Sequence, residues 1–196
     1  AAARHAFISP PGVVLISISE KAWRAAAQAK MPCFYWDFKT LNDAIKRGET
    51  PYTPALTQLY GLQEAVKILL EEGVDAVLAR HARMAEATRI GVQALGLELF
   101  ANPNNASTVV TAIKAPAGID IERVRQIMLD KYGVVIAGGH QTLRGKIFRI
   151  GHLGQVNILD ILATFAALEM SLLECGYPVE LGIGVSAIQK YFLNSR

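Results

Sequence analysis

The sequence has few of the residues on which common metal and redox sites depend. Its 196 residues include only two cysteines, Cys33 and Cys175, which lie far apart along the chain. The paired CxxC thiols of zinc ribbons, dithiol oxidoreductases and iron–sulfur proteins are therefore missing. Two isolated thiols are typical of reduced cysteines in a cytosolic protein, so we expect a cytoplasmic location.

The sequence also lacks a strong charge of either sign and a long apolar run. It has 20 Lys and Arg against 17 Asp and Glu, and the basic residues are spread along the chain. This balance argues against a nucleic-acid-binding surface. The richest apolar stretch, residues 158–173, is interrupted by Asp160 and Glu169, which argues against a membrane span. We therefore expect neither a nucleic acid nor a membrane as partner.

What the sequence does have is an apolar content of 52%, enough for a buried core in a chain of this size. Its second half alternates short β-branched runs with amphipathic helical segments, a pattern typical of an α/β fold. We predict strands over residues 13–18, 97–100, 108–114, 133–136 and 146–150. The last two strands would form an antiparallel hairpin, which makes the second half an α+β layer.

Helix signals fill most of the remaining chain. Ser19 is a suitable N-cap for a helix over 20–30, and a short helix is predicted near 41–47. From Ala55 the apolar residues step by three and four, which predicts two long helices or one helix broken at Gly73. Later helices are predicted after the N-caps Asp120 and Asn157, and a last one ends near Leu193.

Two glycine motifs only partly match nucleotide-binding patterns. The segment from Gly139 to Lys146 has five residues between its glycines instead of four, and Ile147 replaces the hydroxyl residue of a P-loop. A strand is predicted after it, not the helix that would hold a phosphate. The segment therefore favours a flexible or substrate-facing turn. Gly182-Ile-Gly184 is at best half of a dinucleotide fingerprint and has no strand–helix–strand unit behind it.

The candidates for a metal site or a catalytic nucleophile are also weak. The four histidines show no ligand spacing, so we predict no metal site. His81 falls within a helical stripe, which favours a partly buried core position. A GxSxG elbow is missing, and neither cysteine has a histidine nearby in the sequence.

Two features are compatible with an anion-binding site. Arg149 lies in an otherwise apolar strand, where its side chain must reach water or meet an anion through its fixed donor fork. Both interpretations, a carboxylate-binding arginine and a surface arginine on an edge strand, stay open at this point. The segment Thr50-Pro-Tyr-Thr-Pro54 offers hydroxyl groups on a proline-stiffened backbone, which suits a phosphate or an ordinary turn.

An ordered set of short motifs resembles a known family. The set comprises Pro10-Pro-Gly12, Ser19-Glu-Lys-Ala-Trp23, Thr50-Pro-Tyr-Thr-Pro54, Leu59-Tyr-Gly-Leu-Gln-Glu64, Gly138-Gly139 and Phe148-Arg-Ile-Gly-His-Leu-Gly154. Together, over residues 7–196, they resemble the C-terminal half of the class V, fold-type I aminotransferases, which use pyridoxal phosphate. The resemblance is to the alanine–glyoxylate and serine–pyruvate branch, which includes cyanobacterial members labelled as a soluble hydrogenase subunit.

The resemblance implies roles for the two features above. Arg149 would bind the substrate carboxylate, while Thr53 and Thr50 would reach the cofactor phosphate of a neighbouring subunit in a homodimer. It also implies three regions: 1–54 as a remnant of the large cofactor domain, 55–96 as connecting helices, and 97–196 as the small domain.

The sequence departs from the family pattern at one position. The family's Schiff-base lysine lies a few residues before Pro-Pro-Gly, and that position falls at His5, whose imidazole cannot form the linkage. We therefore expect this chain alone to be inactive, as the C-terminal portion of an alanine- or serine-type aminotransferase acting with glyoxylate or pyruvate. The alternative is a non-catalytic assembly or binding module.

Overall fold

The computed structural model of the chain describes residues 9–194. These residues fall into two compact units, one on each side of the boundary between Glu71 and Glu72. We call residues 9–71 the helical unit and residues 72–194 the sheet unit. Across the described residues, every helix is too short or too polar to cross a membrane.

The helical unit contains α1 (Glu20–Gln28), α2 (Phe38–Lys46) and α3 (Leu56–Glu72), whose last residue begins the sheet unit. Ser19 caps α1 as predicted, because its hydroxyl accepts a hydrogen bond from the amide of Ala22. The carboxylate of Asp37 caps α2, so this helix starts earlier than its apolar residues predicted.

The strand predicted over 13–18 is wrong. Only Val14 makes an isolated bridge, and no strand runs through this segment of the described chain. Val14 and Ile16 are 62% and 61% exposed. The remaining elements of the helical unit are helices and loops, so this β-branched segment has no sheet within that unit to join.

The sheet unit surrounds a small antiparallel sheet. It contains α4 (Val74–Ala94), β1 (Val110–Lys114), α5 (Ile121–Tyr132), β2 (Ala137–Gly138), β3 (Ile147–Gly151), α6 (Ile158–Glu174) and α7 (Ile183–Asn194). The strand order is β1-β3-β2, with both neighbours antiparallel to the central β3. The break before α4 lies at Gly73, whose φ is 91°, as the helical stripe predicted.

The core of the sheet unit is formed where helices cover this sheet. Helix α4 packs against α6, α7 and β1, and α6 also packs against α5 and α7. The largest fully buried side chains include Phe148, Phe165, Ile113, Met128 and Leu168. The mixed α/β fold class predicted from the sequence is confirmed.

Two predicted strands of this unit are displaced or absent. Residues 97–100 contribute a single bridge, between Leu99 and Ile113, in place of a strand. The strand predicted at 133–136 lies at Ala137–Gly138, because the preceding residues end α5. Gly133 adopts a left-handed φ of 65° there, and the amide of Val134 bonds back to Met128.

Candidate functional site

Arg149 lies in the middle of the sheet. It belongs to the central strand β3, where it is paired with Ala112 of β1 and with Ala137 of β2. The side chain is half-buried, while its sequence neighbours Phe148 and Ile150 are buried. The edge-strand alternative is therefore wrong, because β3 has a hydrogen-bonded neighbour on each side.

The guanidinium of Arg149 is held by two acceptors. Its Nε donates to the carbonyl oxygen of Gly138 at 3.0 Å, and its Nη2 lies 2.9 Å from Nε2 of His140. An arginine has five N–H groups and no acceptor. The other three N–H groups have no hydrogen-bond partner among residues 9–194, and two of them are enough for a bidentate bond to a carboxylate.

The last residue of β2 and the loop that follows it present the two acceptors, Gly138 and His140. A Cβ at Gly139 would lie 2.0 Å from the carbonyl oxygen of Leu143, so only glycine allows the chain to fold back this closely. Gln141 adopts a left-handed φ of 48°, at the start of a short 3-10 turn, Gln141–Leu143. The amide of Gly139 donates to Ile147 at 3.0 Å, which ties the base of the loop to β3.

The loop after β3 is fixed to helix α4. The amide of Gly154 donates to Nε2 of His81 at 2.8 Å, and its carbonyl accepts from Nη1 of Arg80. Arg80 also bonds Glu72 through two nitrogens, and this contact lowers the pKa of the Glu72 carboxyl while raising the pKa of Arg80. His81 is buried, as predicted from its helical stripe.

His152, in the same loop, is fully buried. Its Nε2 lies 2.9 Å from the hydroxyl of Thr111 on β1, and Nδ1 has no hydrogen-bond partner of good geometry among the described residues. Burial, with a smaller effect of the Arg89 charge, lowers the pKa of His152 to about 4. The imidazole is therefore neutral at physiological pH.

The predicted phosphate-binding segment lies in the helical unit, between α2 and α3. Thr50 and Thr53 are both exposed. The hydroxyl of Thr50 donates to the carbonyl of Tyr52 at 2.8 Å, so it holds the turn. The hydroxyl of Thr53 makes no hydrogen bond within the described part of the chain. Of the two, Thr53 has the group that fits a phosphate oxygen as it stands.

Three other candidates from the sequence can be placed. The P-loop-like segment runs into strand β3, as predicted, and so lacks the helix of a phosphate site. Gly182 and Gly184 lie at the start of α7, where the carboxylate of Glu169 accepts their amides. Within residues 9–194 no group of three metal-ligating side chains occurs. His5, the position matched to the Schiff-base lysine, lies outside the described residues.

Comparison with known proteins identifies the family. The class-V aminotransferase model matches residues 1–156. The chain belongs to the class V aminotransferases. The chain spans about half the length of the curated relatives that it matches. It is 41% identical over 186 residues to the soluble hydrogenase small subunit of Synechococcus sp. (strain PCC 6716), covering 94% of this chain and 48% of that protein.

Other similar proteins have names that state aminotransferase activities. The serine–glyoxylate aminotransferase of Methylorubrum extorquens is 38% identical over 197 residues, covering 97% of this chain and 49% of that protein. The crystal structure of ureidoglycine–glyoxylate aminotransferase from Bacillus subtilis superimposes with a TM-score of 0.92 at 32% identity, covering 98% of this chain and 51% of that chain. The resemblance inferred from the ordered motifs is therefore confirmed.

His140 was not predicted as a partner of Arg149. In the sequence, His140 directly follows two glycines and precedes Arg149 by nine residues. This spacing does not predict a contact unless the pairing of β2 with β3 is known. The role of Glu169 was likewise missed, because a carboxylate in an apolar helix signals only that it needs a partner.

Proposed function

We propose that this chain is the C-terminal part of a pyridoxal-phosphate-dependent aminotransferase. The parent enzyme would transfer the amino group of a small amino acid, such as alanine or serine, to glyoxylate or pyruvate. The observation that carries this proposal is the half-buried arginine on the central strand, held by two acceptors and with N–H groups to spare. Family membership supplies the reaction class.

Arg149 would bind the substrate carboxylate. Its guanidinium is a planar donor fork that matches the two oxygens of a carboxylate. Because Nε is bonded to Gly138 in a sheet, the plane of the fork is set before a ligand arrives. When the carboxylate of an amino acid is bound in this way, the positions of its amino group and its Cα–H bond are restricted.

Thr53, and less directly Thr50, would contribute to the cofactor phosphate. Bound pyridoxal phosphate supplies the electron sink for amino-group transfer. The free hydroxyl of Thr53 would donate to a phosphate oxygen. Thr50 would act by holding the turn through its bond to Tyr52. In the family pattern the phosphate belongs to the neighbouring subunit, so this proposal includes a homodimer.

The proposal is tested with the active enzyme that contains this chain. Arg149→Lys should raise the KM for the amino donor and lower kcat/KM by about 100-fold, because an ammonium cannot form two parallel bonds to a carboxylate. The matched control is Arg144→Lys, an exposed arginine in the loop before β3, which should leave both constants unchanged. Equal kinetics for the Arg149→Lys variant and the wild type would show that Arg149 does not bind substrate.

The alternative is an assembly module, and two observations favour it. A similar cyanobacterial protein is named as a hydrogenase subunit, and the helical unit exposes Met31, Phe34 and Trp36 by 81% each. Such a surface suits a protein contact. In that case Arg149→Lys would have no effect on any activity, whereas replacing the exposed aromatic residues would weaken association in sedimentation experiments.

A further inference from the structure

The contact between Arg149 and His140 has one possible direction. Arginine only donates hydrogen bonds, so Nε2 of His140 must accept from Nη2 of Arg149 at 2.9 Å. A doubly protonated ring would have no lone pair to offer and would place a second positive charge beside the guanidinium.

The fold supports this contact at both ends. Strand pairing and the bond to Gly138 set Nε of Arg149. At the other end, His140 follows Gly139, where the chain turns back too closely for a side chain, and precedes Gln141 in its left-handed conformation. The carbonyl of His140 also accepts from the amide of Leu143 at 3.0 Å, which fixes the backbone at the imidazole.

Two acceptors at different angles restrict the guanidinium more than one would. The guanidinium is a rigid plane, so the bond to Gly138 fixes one corner of it and the bond at Nη2 fixes a second, which stops the group from swinging about the first contact through the torsions of its stem. The nearby charged groups do not replace this support. Arg125 and Glu122 of α5 lie against Gly138, where they bond each other, and Arg125 also bonds the carbonyl of Ile136.

We propose that His140 is a positioning residue, which holds the Arg149 guanidinium in the orientation that binds a substrate carboxylate. This inference rests on the proposed role of Arg149. It adds that the imidazole of His140 is the second of two fixed acceptors. Carboxylate binding therefore depends on the lone pair at position 140 and not only on the arginine.

The experiment measures binding by this chain, without cofactor. The probe is pyruvate, with sodium chloride at equal ionic strength as the reference, and the readout is the NMR signal of the Arg149 Nε–H group. His140→Leu removes the acceptor, whereas His140→Gln keeps an amide oxygen that can accept in its place. Thr142→Val, an exposed change in the same loop, is the matched control.

We expect His140→Leu to weaken pyruvate binding by about fivefold or more, as the loss of a hydrogen bond to a charged group implies. His140→Gln should recover most of the affinity, and Thr142→Val should bind like the wild type. Unchanged or tighter binding by His140→Leu would overturn the proposal. Equal weakening by the Leu and Gln variants would also overturn it, since a loss of loop structure alone gives that result.

A second readout separates this proposal from the proposed function. The same spectra, recorded without pyruvate, show whether His140→Leu shifts and broadens the Arg149 signal. If neither the wild type nor Arg149→Met binds pyruvate, this chain alone does not form the carboxylate site, and the kinetics of Arg149→Lys in the active enzyme decide the proposed substrate role. In that case a shifted Arg149 signal in His140→Leu still supports the positioning contact, and an unshifted signal overturns it.

Discussion

The two units of this chain use their apolar residues differently. In the sheet unit many large apolar side chains of β1, β3, α5 and α6 are buried in one core, and Phe148, Phe165 and Leu168 have no exposed surface. In the helical unit the only buried apolar side chains are those of Ala44 and Leu62, among its described residues. Apolar content alone therefore does not tell which region holds a core.

This difference matters for the candidate site. Arg149 and its two acceptors lie in the sheet unit, where the backbone is fixed by strand pairing and by a packed core. Thr53 lies in the helical unit, on an exposed turn stiffened by prolines. A site is positioned more firmly by packed elements than by an exposed loop, so the arginine is the firmer of the two features.

The largest expected change in stability is that of a variant at Glu169, in the sheet unit. Its buried carboxylate accepts the amides of Gly182, Gly184 and Val185 at the start of α7. Glu169→Gln places a donor against these donors, so we expect the free energy of unfolding to fall by about 3 kcal/mol. Urea unfolding followed by circular dichroism measures it.

The control for this change is Glu174→Gln on the same helix. Glu174 forms an exposed ion pair with Lys131, which should contribute less than about 1 kcal/mol. If both variants are equally stable, Glu169 does not hold the sheet unit together, and the contrast between the two units weakens.

A smaller effect should appear on acidification, through His152. Its pKa is about 4 in the folded chain, against about 6.5 when unfolded. The unfolded chain therefore takes up this proton first as the pH falls, and stability is lost between these two values. The contribution should be about 2 kcal/mol between about pH 7.5 and about pH 5.

The variant that isolates this contribution is His152→Gln, which cannot ionise. The change in unfolding free energy between about pH 7.5 and about pH 5 should be smaller for this variant than for the wild type, by about 2 kcal/mol. An equal pH dependence of the two proteins would show that the burial of His152 does not make the sheet unit sensitive to acid.

The smallest expected change in stability concerns two glycines within helices, one from each unit. A Cβ at Gly91 in α4 would lie 2.6 Å from Phe165 and 2.7 Å from Ile188, whereas the nearest described neighbour of a Cβ at Gly61 in α3 would be Pro10, at 3.1 Å. Alanine favours a helix over glycine by about 1 kcal/mol, but overpacking a core costs about 1–3 kcal/mol.

We therefore expect Gly91→Ala to lower the free energy of unfolding by about 1 kcal/mol and Gly61→Ala to leave it unchanged or slightly raised. Circular dichroism measures both variants. Tryptophan fluorescence adds a readout of the helical unit alone, because Trp23 and Trp36 both lie there. A loss of stability in Gly61→Ala as large as that in Gly91→Ala would contradict the contrast in packing.

Local signals predicted the helices well. The caps Ser19, Asp120 and Asn157 each bond the amides of the helix that follows, because a cap and its helix are neighbours in sequence. The strands were predicted less well. Residues 13–18 have the composition of a strand but no sheet in their unit, and the strand expected at 133–136 gave way to the end of α5.

Sequence alone determined the family and the positions of most helices, because these depend on ordered motifs and on contacts over a few residues. Tertiary structure decided that Arg149 lies on a central strand, that His140 accepts from it, and that Glu169 holds the start of α7. Each of these joins residues from separate elements. Such contacts exist only once the strands have paired and the helices have packed, so no local pattern encodes them.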